Sequence, residues 1–477
     1  MSKPILDSLV HAAIKRKRIQ KSIARSEKQN VCDYELLTDH EVLCLLKHTT
    51  ENPSLTSTLT LLSLIMGRKI ENLLDESTDF FMPSKLGANA GFGFIVVDRP
   101  YASQHIKEVK AYSDKSNKGY IPVPRELVQQ FADIKCVQLT EEAIRNIVAF
   151  ERKCLSDINH EEGTRLSHVR VARHLRFYCA HRGISEVRYA TIAGKELGFH
   201  AGIHYTAHEN TQILTLLASY SEYLRSLYPS LKLTFPVATN GNPWGSLRVP
   251  NKSDVSKYFK DLYVLAKKRA RQLDLLTSAN CYVAYTLGVL QLATGHRPER
   301  DAFGDLSAFD LRCGYTFIDD KESGHNHRRI IKLCTVARQQ LLYFVDHIRL
   351  LKCNTEFQYP DIASGTQKIL DNSAPLLIYI SNEAFQFASP LSPPLGKLPD
   401  LPGENNYYRH LLRTHFEQVG LATDLADWFM GHEGKCDHSF GSYSAFENRD
   451  LEMVATTVDE LFHELGISAQ TSPLLEV

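Results

Sequence analysis

The stretch Tyr408–Gly420, YRHLLRTHFEQVG, decides the fold of this chain. Helical spacing places His410 and Arg413 three residues apart on one face. The apolar side chains of the segment occupy a different face, which is expected to pack into a core, and are Leu412, Phe416 and Val419. The polar pair is therefore predicted to present a hydrogen-bond donor and a fixed cation to something outside the helix. A solvated polar face is the alternative for this segment taken alone.

A helix, a hairpin and a second turn flank this stretch. The helix is predicted over Thr277–Ala293 from its Thr/Ser start and its apolar stripe, with Gly295 ending it. The hairpin is predicted from two short apolar strands around a polar turn. The segments concerned are Thr294–Arg297 (TGHR), the strands Tyr315–Ile318 and Arg329–Leu333, Met430–His432 (MGH), and Tyr443 eleven residues later.

In this combination the sequence resembles the tyrosine recombinase (phage-integrase) family. The family pattern is an Arg in a TGxR turn, a Lys in the following hairpin, HxxR on a helix, a GH or GW, and then a nucleophilic Tyr. Carried over residue by residue, the resemblance assigns Arg297, Lys321, His410, Arg413, His432 and Tyr443. It covers about residues 275–465 and is closest to large integrases that carry TGHRP and MGH.

Two features depart from the family pattern. Arg300 occupies the position of the usual acidic residue, between Glu299 and Asp301. The tract from Arg349 to Tyr407 is long for the family. Both leave details open and do not alter the chemistry that the resemblance implies.

That implied chemistry is an attack on a phosphodiester. Arg297 and Arg413 would clamp its non-bridging oxygens, and removing one such donor typically slows a reaction roughly 10²–10³-fold. A phenol with a pKa of about 10 is a weak nucleophile at neutral pH. His410 is therefore expected to accept the proton of Tyr443 or to orient the phosphate.

The remaining roles concern the leaving group and the transition state. Lys321 on the hairpin is expected to protonate the leaving 5′-oxygen, with Lys332 on the second strand as the alternative general acid. His432 would donate to a phosphoryl oxygen. The resemblance implies no metal and no cofactor, because the phosphotyrosine bond conserves the energy that religation uses.

Composition restricts the class of protein. The 477 residues are about three times a typical domain, which predicts two or three cores, and 43% hydrophobic with 23% charged residues is ordinary for a globular chain. No membrane span or signal peptide is predicted. Ten cysteines without a CxxC pair predict reduced thiols. We therefore expect a cytoplasmic protein that is nucleoid-associated when bound to DNA.

Charge is balanced overall but clustered locally, with 55 basic against 55 acidic residues. Basic residues concentrate in 1–30, 165–182 and 250–272. Three such clusters in a neutral chain predict a polyanionic partner, double-stranded DNA. Taken singly, each cluster has a solvated helix face as its alternative.

The predicted fold class is mainly α with small β-sheets (α+β): a tyrosine-recombinase catalytic domain preceded by a largely helical N-terminal DNA-binding region. The predicted divisions are a basic segment 1–35, a region 36–205, a helical DNA-binding or linker region 206–272 and a catalytic domain 273–477 with a C-terminal helix. Region 36–205 is interpreted either as a degenerate catalytic copy or as a family-specific helical region. The segments that suggest a copy are Leu59–Leu73, Tyr120–Phe131 and Gly194–Thr206.

The last helix suggests assembly. Its apolar residues follow alternating three- and four-residue steps and are Leu451, Val454, Val458, Leu461 and Leu465. In the family such a helix commonly docks on a neighbouring protomer, which implies a homotetramer on DNA. Packing on its own domain is the alternative. Accessory DNA-bending or partner recombinase proteins are further expected partners.

Three histidine-containing patterns suggest rival functions. His325–His327 spells HNH, a tripeptide found in metal nucleases. His432, Cys436, Asp437 and His438 could form a zinc cluster, but their spacing matches no common zinc site. His200, His204 and His208 recur every four residues beside helix-breaking Gly198 and Gly202. A catalytically silent DNA-binding accessory protein and a type IB topoisomerase-like enzyme remain the two alternatives to a site-specific recombinase.

Overall fold

The computed structural model describes residues 35–476, apart from 76–77, 83–90, 99–117, 138, 195–200, 237–243, 247, 298–302, 319–328, 382–383, 388–397, 404 and 433–446. The described chain is mainly helical with small antiparallel sheets, as predicted. None of its described helices combines the length and the apolar character that crossing a bilayer requires.

The N-terminal half, residues 35–236, contains nine helices and four short strands among its described residues. The helices are α1 Asp39–Glu51, α2 Leu55–Met66, α3 Ile70–Leu74, α4 Arg125–Lys135, α5 Glu141–Glu162, α6 His168–His181, α7 Glu186–Ile192, α8 Ala201–Tyr205 and α9 Asn210–Leu227. The strands are β1 Phe80–Phe81, β2 Gly93–Asp98, β3 Lys118–Val123 and β4 Ala207–His208. Strands β1, β2 and β3 form an antiparallel sheet in that order, in which Ile95 faces Ile121.

The C-terminal half, residues 248–476, is joined to the first by strand β5, Trp244–Gly245, which pairs antiparallel with β4. Its helices are α10 Lys252–Arg271, α11 Leu275–Thr294, α12 Thr335–Thr355, α13 Pro360–Leu370, α14 Tyr407–Val419, α15 Thr423–Phe429 and α16 Asn448–Glu464. Its strands are β6 Phe309–Asp310, β7 Tyr315–Ile318, β8 Arg329–Lys332, β9 Ile378–Ser381 and β10 Ala384–Phe387. The predicted hairpin is present as β7–β8, with Phe317 opposite Ile330.

Helix α11 is the centre of the C-terminal core. The Asp274 side chain accepts a hydrogen bond from the Thr277 backbone and caps the helix, and every residue from Ser278 to Thr294 is buried. Gly295 ends the helix at φ +59°, a left-handed conformation that favours glycine. An added Cβ there would lie 3.2 Å from the Phe429 ring, so the turn is also closely packed.

The predicted boundary at residue 273 falls inside one core. Val255, Phe259 and Leu262 of α10 are buried against α11 in the same hydrophobic cluster. Residues 252–271 therefore pack with the C-terminal half and share its core. Their basic residues lie on the outer side of a core helix.

The described elements of the two halves follow a similar order. Helices α2 and α11 each end at a left-handed glycine, Gly67 and Gly295, and a three-stranded antiparallel sheet follows each. Helices α7 and α15 each contain seven residues, and a left-handed glycine follows two residues later, Gly194 and Gly431. This order is consistent with the degenerate-copy hypothesis, which a superposition of the two halves would test.

The basic cluster at 165–182 differs from its predicted role. Arg170 is buried and binds Glu41 at 2.9 Å, and this guanidinium helps to hold the pKa of Glu41 at about 2 against the opposing effect of burial. Arg173 pairs with Glu35, and Arg176 pairs with Glu186. These three arginines therefore have carboxylate partners within the N-terminal half, and the buried Arg170–Glu41 pair supports the fold.

Helix α16 packs on its own domain. Its predicted docking residues are all buried in the C-terminal core, with exposures between 0% and 4%, and are Leu451, Val454, Val458, Leu461 and Leu465. Lys252 of α10 also pairs with Glu464 at the end of the helix. The interpretation of this seam as a protomer-exchange surface is therefore wrong, because its apolar face is already occupied.

We expect Leu461→Ala to lower the free energy of unfolding by about 2–5 kcal/mol, since it opens a cavity beneath α16. Met453 lies on the same helix and is 44% exposed. Met453→Ala should therefore change stability by less than about 0.5 kcal/mol. Chemical denaturation followed by circular dichroism measures both. Equal effects of the two variants would contradict the buried position of this helix.

Candidate active site

Helix α14 carries the predicted HxxR pair, and it is buried along most of its length. His410 is 3% exposed and Arg413 is 1% exposed. The expectation that this face points outward was therefore wrong. The polar face is covered by other parts of the chain. Leu412 and Phe416 pack into the core as predicted, whereas Val419, which was also predicted to pack there, is 46% exposed.

Arg409, which directly precedes His410, joins three segments of the site. Its guanidinium donates to the Gly295 carbonyl after α11, to the Met430 carbonyl after α15 at 2.7 Å and to His432 Nε2 at 3.1 Å. Arg409 is 1% exposed. Because the end of a helix leaves carbonyls without intrahelical partners, this one side chain closes two helix ends and holds them beside α14.

Gly431 of the MGH motif has a packing role. Its φ of +64° is left-handed, and an added Cβ would lie 2.7 Å from Arg329 Nη1. The Arg329 guanidinium also donates to the Gly295 carbonyl at 3.4 Å. Strand β8 therefore reaches the site through Arg329, which packs directly against the turn before His432.

Arg413 is held by two neighbours. Its Nη1 lies 2.9 Å from Asp427 Oδ1 of α15. On its other side, an added Cβ on Gly202 would lie 2.7 Å from Arg413 Nη2, so α8 packs on the guanidinium with no space for a side chain. The guanidinium is therefore held between a carboxylate on one side and a closely packed helix on the other.

His432 lies in a cationic environment. Burial, together with the positive charges of four arginines, lowers the pKa of His432 to about 2; the arginines are Arg409, Arg413, Arg297 and Arg329. The ring is therefore neutral. Because Arg409 donates to Nε2, the proton of the neutral ring lies on Nδ1, which has no hydrogen-bond partner among the described residues. Nδ1 can therefore donate to an added anion.

Two residues from outside the predicted catalytic domain complete the site. The Tyr205 ring lies 4.6 Å from the His410 ring and 4.9 Å from the His432 ring, centroid to centroid. The Ser246 hydroxyl lies 2.7 Å from His410 Nδ1. No motif indicates either residue. Tyr205 lies in the segment that suggested a degenerate copy, which was the one sequence feature that pointed near it.

The structure brings together four of the six predicted site residues. His410 and His432 both contact the Tyr205 ring, and the charges of Arg413 and Arg297 act on His432. Lys321 and Tyr443 lie outside the described residues, as do His325–His327, His200 and the remaining members of the drawn zinc set. Within the described ranges, no three His, Cys, Asp or Glu side chains are arranged to hold a metal ion.

Comparison of the chain with protein-family models, with curated proteins and with solved structures finds no match.

We expect His432→Gln to make the free energy of unfolding fall less steeply as the pH is lowered. The folded pKa of about 2 lies below the unfolded value of about 6.5, so the unfolded chain binds the extra proton between these values. The stabilisation from His432 is thus complete above pH 6.5 and declines as the pH falls. Without His432, the slope between pH 6.5 and 4 should decrease by up to about 1.4 kcal/mol per pH unit.

Urea denaturation at several pH values measures this slope. His347 is a matched control, because burial alone lowers its pKa to about 3 in a place far from the four arginines. His347→Gln should also reduce the acid slope. Because no arginine contributes to the pKa shift of His347, this variant should not change how much added phosphate stabilises the fold. An unaltered slope in His432→Gln would contradict a neutral, buried His432.

Proposed function

We propose that the chain is a site-specific DNA recombinase or integrase that cuts and rejoins double-stranded DNA through a 3′-phosphotyrosine intermediate. The observation that carries the proposal is the convergence of Arg297, Arg413, His410 and His432 from three segments of the chain on one buried cluster. The sequence order of these residues and the nature of their side chains fit phosphodiester chemistry. The other support is the motif resemblance itself.

In this proposal the phenolate oxygen of Tyr443 forms a bond to phosphorus while the bond from phosphorus to the 5′-oxygen breaks. His410 accepts the phenolic proton, and a protonated lysine supplies the proton that the leaving 5′-oxygen gains. Arg297, Arg413 and His432 Nδ1 bind the non-bridging oxygens. These donors are held in place before the reaction, so they stabilise developing charge with little rearrangement.

The proposed general acid is Lys321 and not Lys332. The Lys332 ammonium donates to Glu452 at 2.8 Å and lies over the Tyr315 ring. The hydrogen bond to Glu452 raises the pKa of Lys332, which makes its proton harder to release. Lys332 is thus occupied in tying β8 to α16.

A homotetramer on paired DNA sites, accessory DNA-bending or partner recombinase proteins and a nucleoid-associated cytoplasmic location remain part of this proposal. The buried seam of α16 no longer supplies a docking surface for the tetramer. A silent accessory protein would share the fold without forming an adduct. A type IB topoisomerase-like enzyme would form the adduct without preference for a DNA sequence.

We expect the wild-type chain to form a covalent adduct with nicked DNA that carries its target sequence, and Tyr443→Phe to abolish it. The nicked strand lets the 5′-hydroxyl fragment diffuse away, which traps the phosphotyrosine. Mass spectrometry of the DNA-linked peptide identifies the residue. Tyr343→Phe on α12 is the control and should retain the adduct. An adduct that persists in Tyr443→Phe would refute the assignment of the nucleophile.

We expect the exposed lysines of α10 to contribute to DNA affinity. Lys257, Lys260 and Lys268 are exposed on this helix. Each phosphate contact contributes about 0.9 to the slope of log affinity against log salt, so changing all three to Gln should reduce the slope by roughly 2–3. Fluorescence anisotropy over a salt series measures it. Lys368→Gln on α13 should leave the slope unchanged; an unchanged slope in the triple variant would exclude α10 from the DNA interface.

A further inference from the structure

The ribbon formed by β4, β5 and the adjoining residues Thr206 and Ser246 is attached directly to α14. The Ala207 backbone donates to the Thr414 hydroxyl at 3.0 Å, and the Ser246 hydroxyl bonds His410 at 2.7 Å. His410 and Thr414 are one helical turn apart, so the ribbon follows one face of α14. The ribbon precedes every motif of the predicted catalytic domain.

Ser246 occupies one nitrogen of His410. The serine is 6% exposed and the histidine 3%, so their hydrogen bond is shielded from water. The backbone of Ser246 donates to the Thr206 carbonyl at 2.9 Å, which fixes the serine to the opposite strand. With Nδ1 bonded to Ser246, Nε2 is the nitrogen of His410 that can exchange a proton with a substrate group.

Tyr205 fixes the plane of the same ring. Its ring contacts the rings of His410 and His432, inclined by 38° and 33° to them, and Arg409 lies over its face at 5.3 Å. These are contacts between ring faces. They restrain the two imidazoles and leave the ring edges, where the nitrogens are, to form hydrogen bonds.

We propose that Ser246 and Tyr205 are positioning residues for His410, supplied to the active site by the β4–β5 ribbon. The inference rests on the proposed function. Ser246 accepts the Nδ1 proton and keeps the lone pair on Nε2, which takes the phenolic proton of the nucleophile. Ser246 then also stabilises the imidazolium that this transfer creates. Tyr205 acts through its ring and not through its hydroxyl.

The kinetic test uses single-turnover cleavage by the full chain across a pH series. Ser246→Ala should cleave about tenfold more slowly, because a hydrogen bond to a charged group is lost. The acidic limb of its pH profile should move about one unit lower, since the protonated form of His410 is less stabilised. Ser246→Thr keeps the hydroxyl and should return the acidic limb to its wild-type pH.

Thr191→Val is the matched control. The Thr191 hydroxyl bonds buried His208 of the same ribbon at 3.2 Å, and His208 is not among the residues described above that contact His410. Loss of the Thr191 hydroxyl removes another buried hydroxyl–histidine hydrogen bond and should not shift the acidic limb of the pH profile.

A second pair of variants tests the ring of Tyr205. Tyr205→Phe should cleave within about twofold of the wild-type rate, while the cleavage rate of Tyr205→Ala should fall at least about tenfold. Full or increased cleavage by Tyr205→Ala or Ser246→Ala would overturn the proposal, as would a DNA adduct on Tyr205.

A second measurement does not depend on DNA cleavage. Nitrogen-15 histidine spectra of the free full chain report which ring nitrogen carries the proton, and His410→Gln identifies the His410 resonances. The expected result is a protonated Nδ1 in wild type and a mixture of tautomers in Ser246→Ala. A protonated Nε2 in wild type would overturn the positioning role. If no adduct forms but the spectra are as expected, the proposed function fails while the positioning of His410 stands.

Discussion

The buried guanidinium of Arg409 is the contact on which the site depends. It binds the carbonyls that end α11 and precede the His432 turn, and also His432 itself, from a position next to His410 on α14. Three segments that are separate in sequence thereby share one charged group. Because a buried charge is tolerated only with its hydrogen bonds formed, the segments are held in a single arrangement.

The helices and the hairpin could be predicted from local pattern. Helix α11, ended by Gly295, and the strands around the β7–β8 turn lie within two residues of their predicted bounds, because apolar period and turn chemistry are local properties. The roles of surfaces could not be predicted in this way. Arg170 is basic in sequence and buried against Glu41 in space, and α16 has the seam of a docking helix and packs on its own core.

Only those residues of the candidate site that belong to short sequence motifs could be predicted. His410, Arg413, His432 and Arg297 lie in short, spaced patterns. Ser246 and Tyr205 lie 164 and 205 residues before His410 in sequence and meet it only through folding. A hydroxyl and an aromatic ring occur at many positions, so neither carries a pattern by itself. Arg409 was not predicted either, because it is one more basic residue beside His410 and belongs to no motif.

Gathering four guanidinium groups around one imidazole has a cost in the absence of an anion. The four positive charges repel one another in a poorly hydrated place, which destabilises the folded state. An anion that binds there offsets this repulsion and stabilises the folded state. Sulfate or phosphate in the buffer would then act as a stabiliser and raise the melting temperature. The same ions would occupy the site in place of any other anionic ligand. The choice of buffer salt therefore alters the measured stability of this protein.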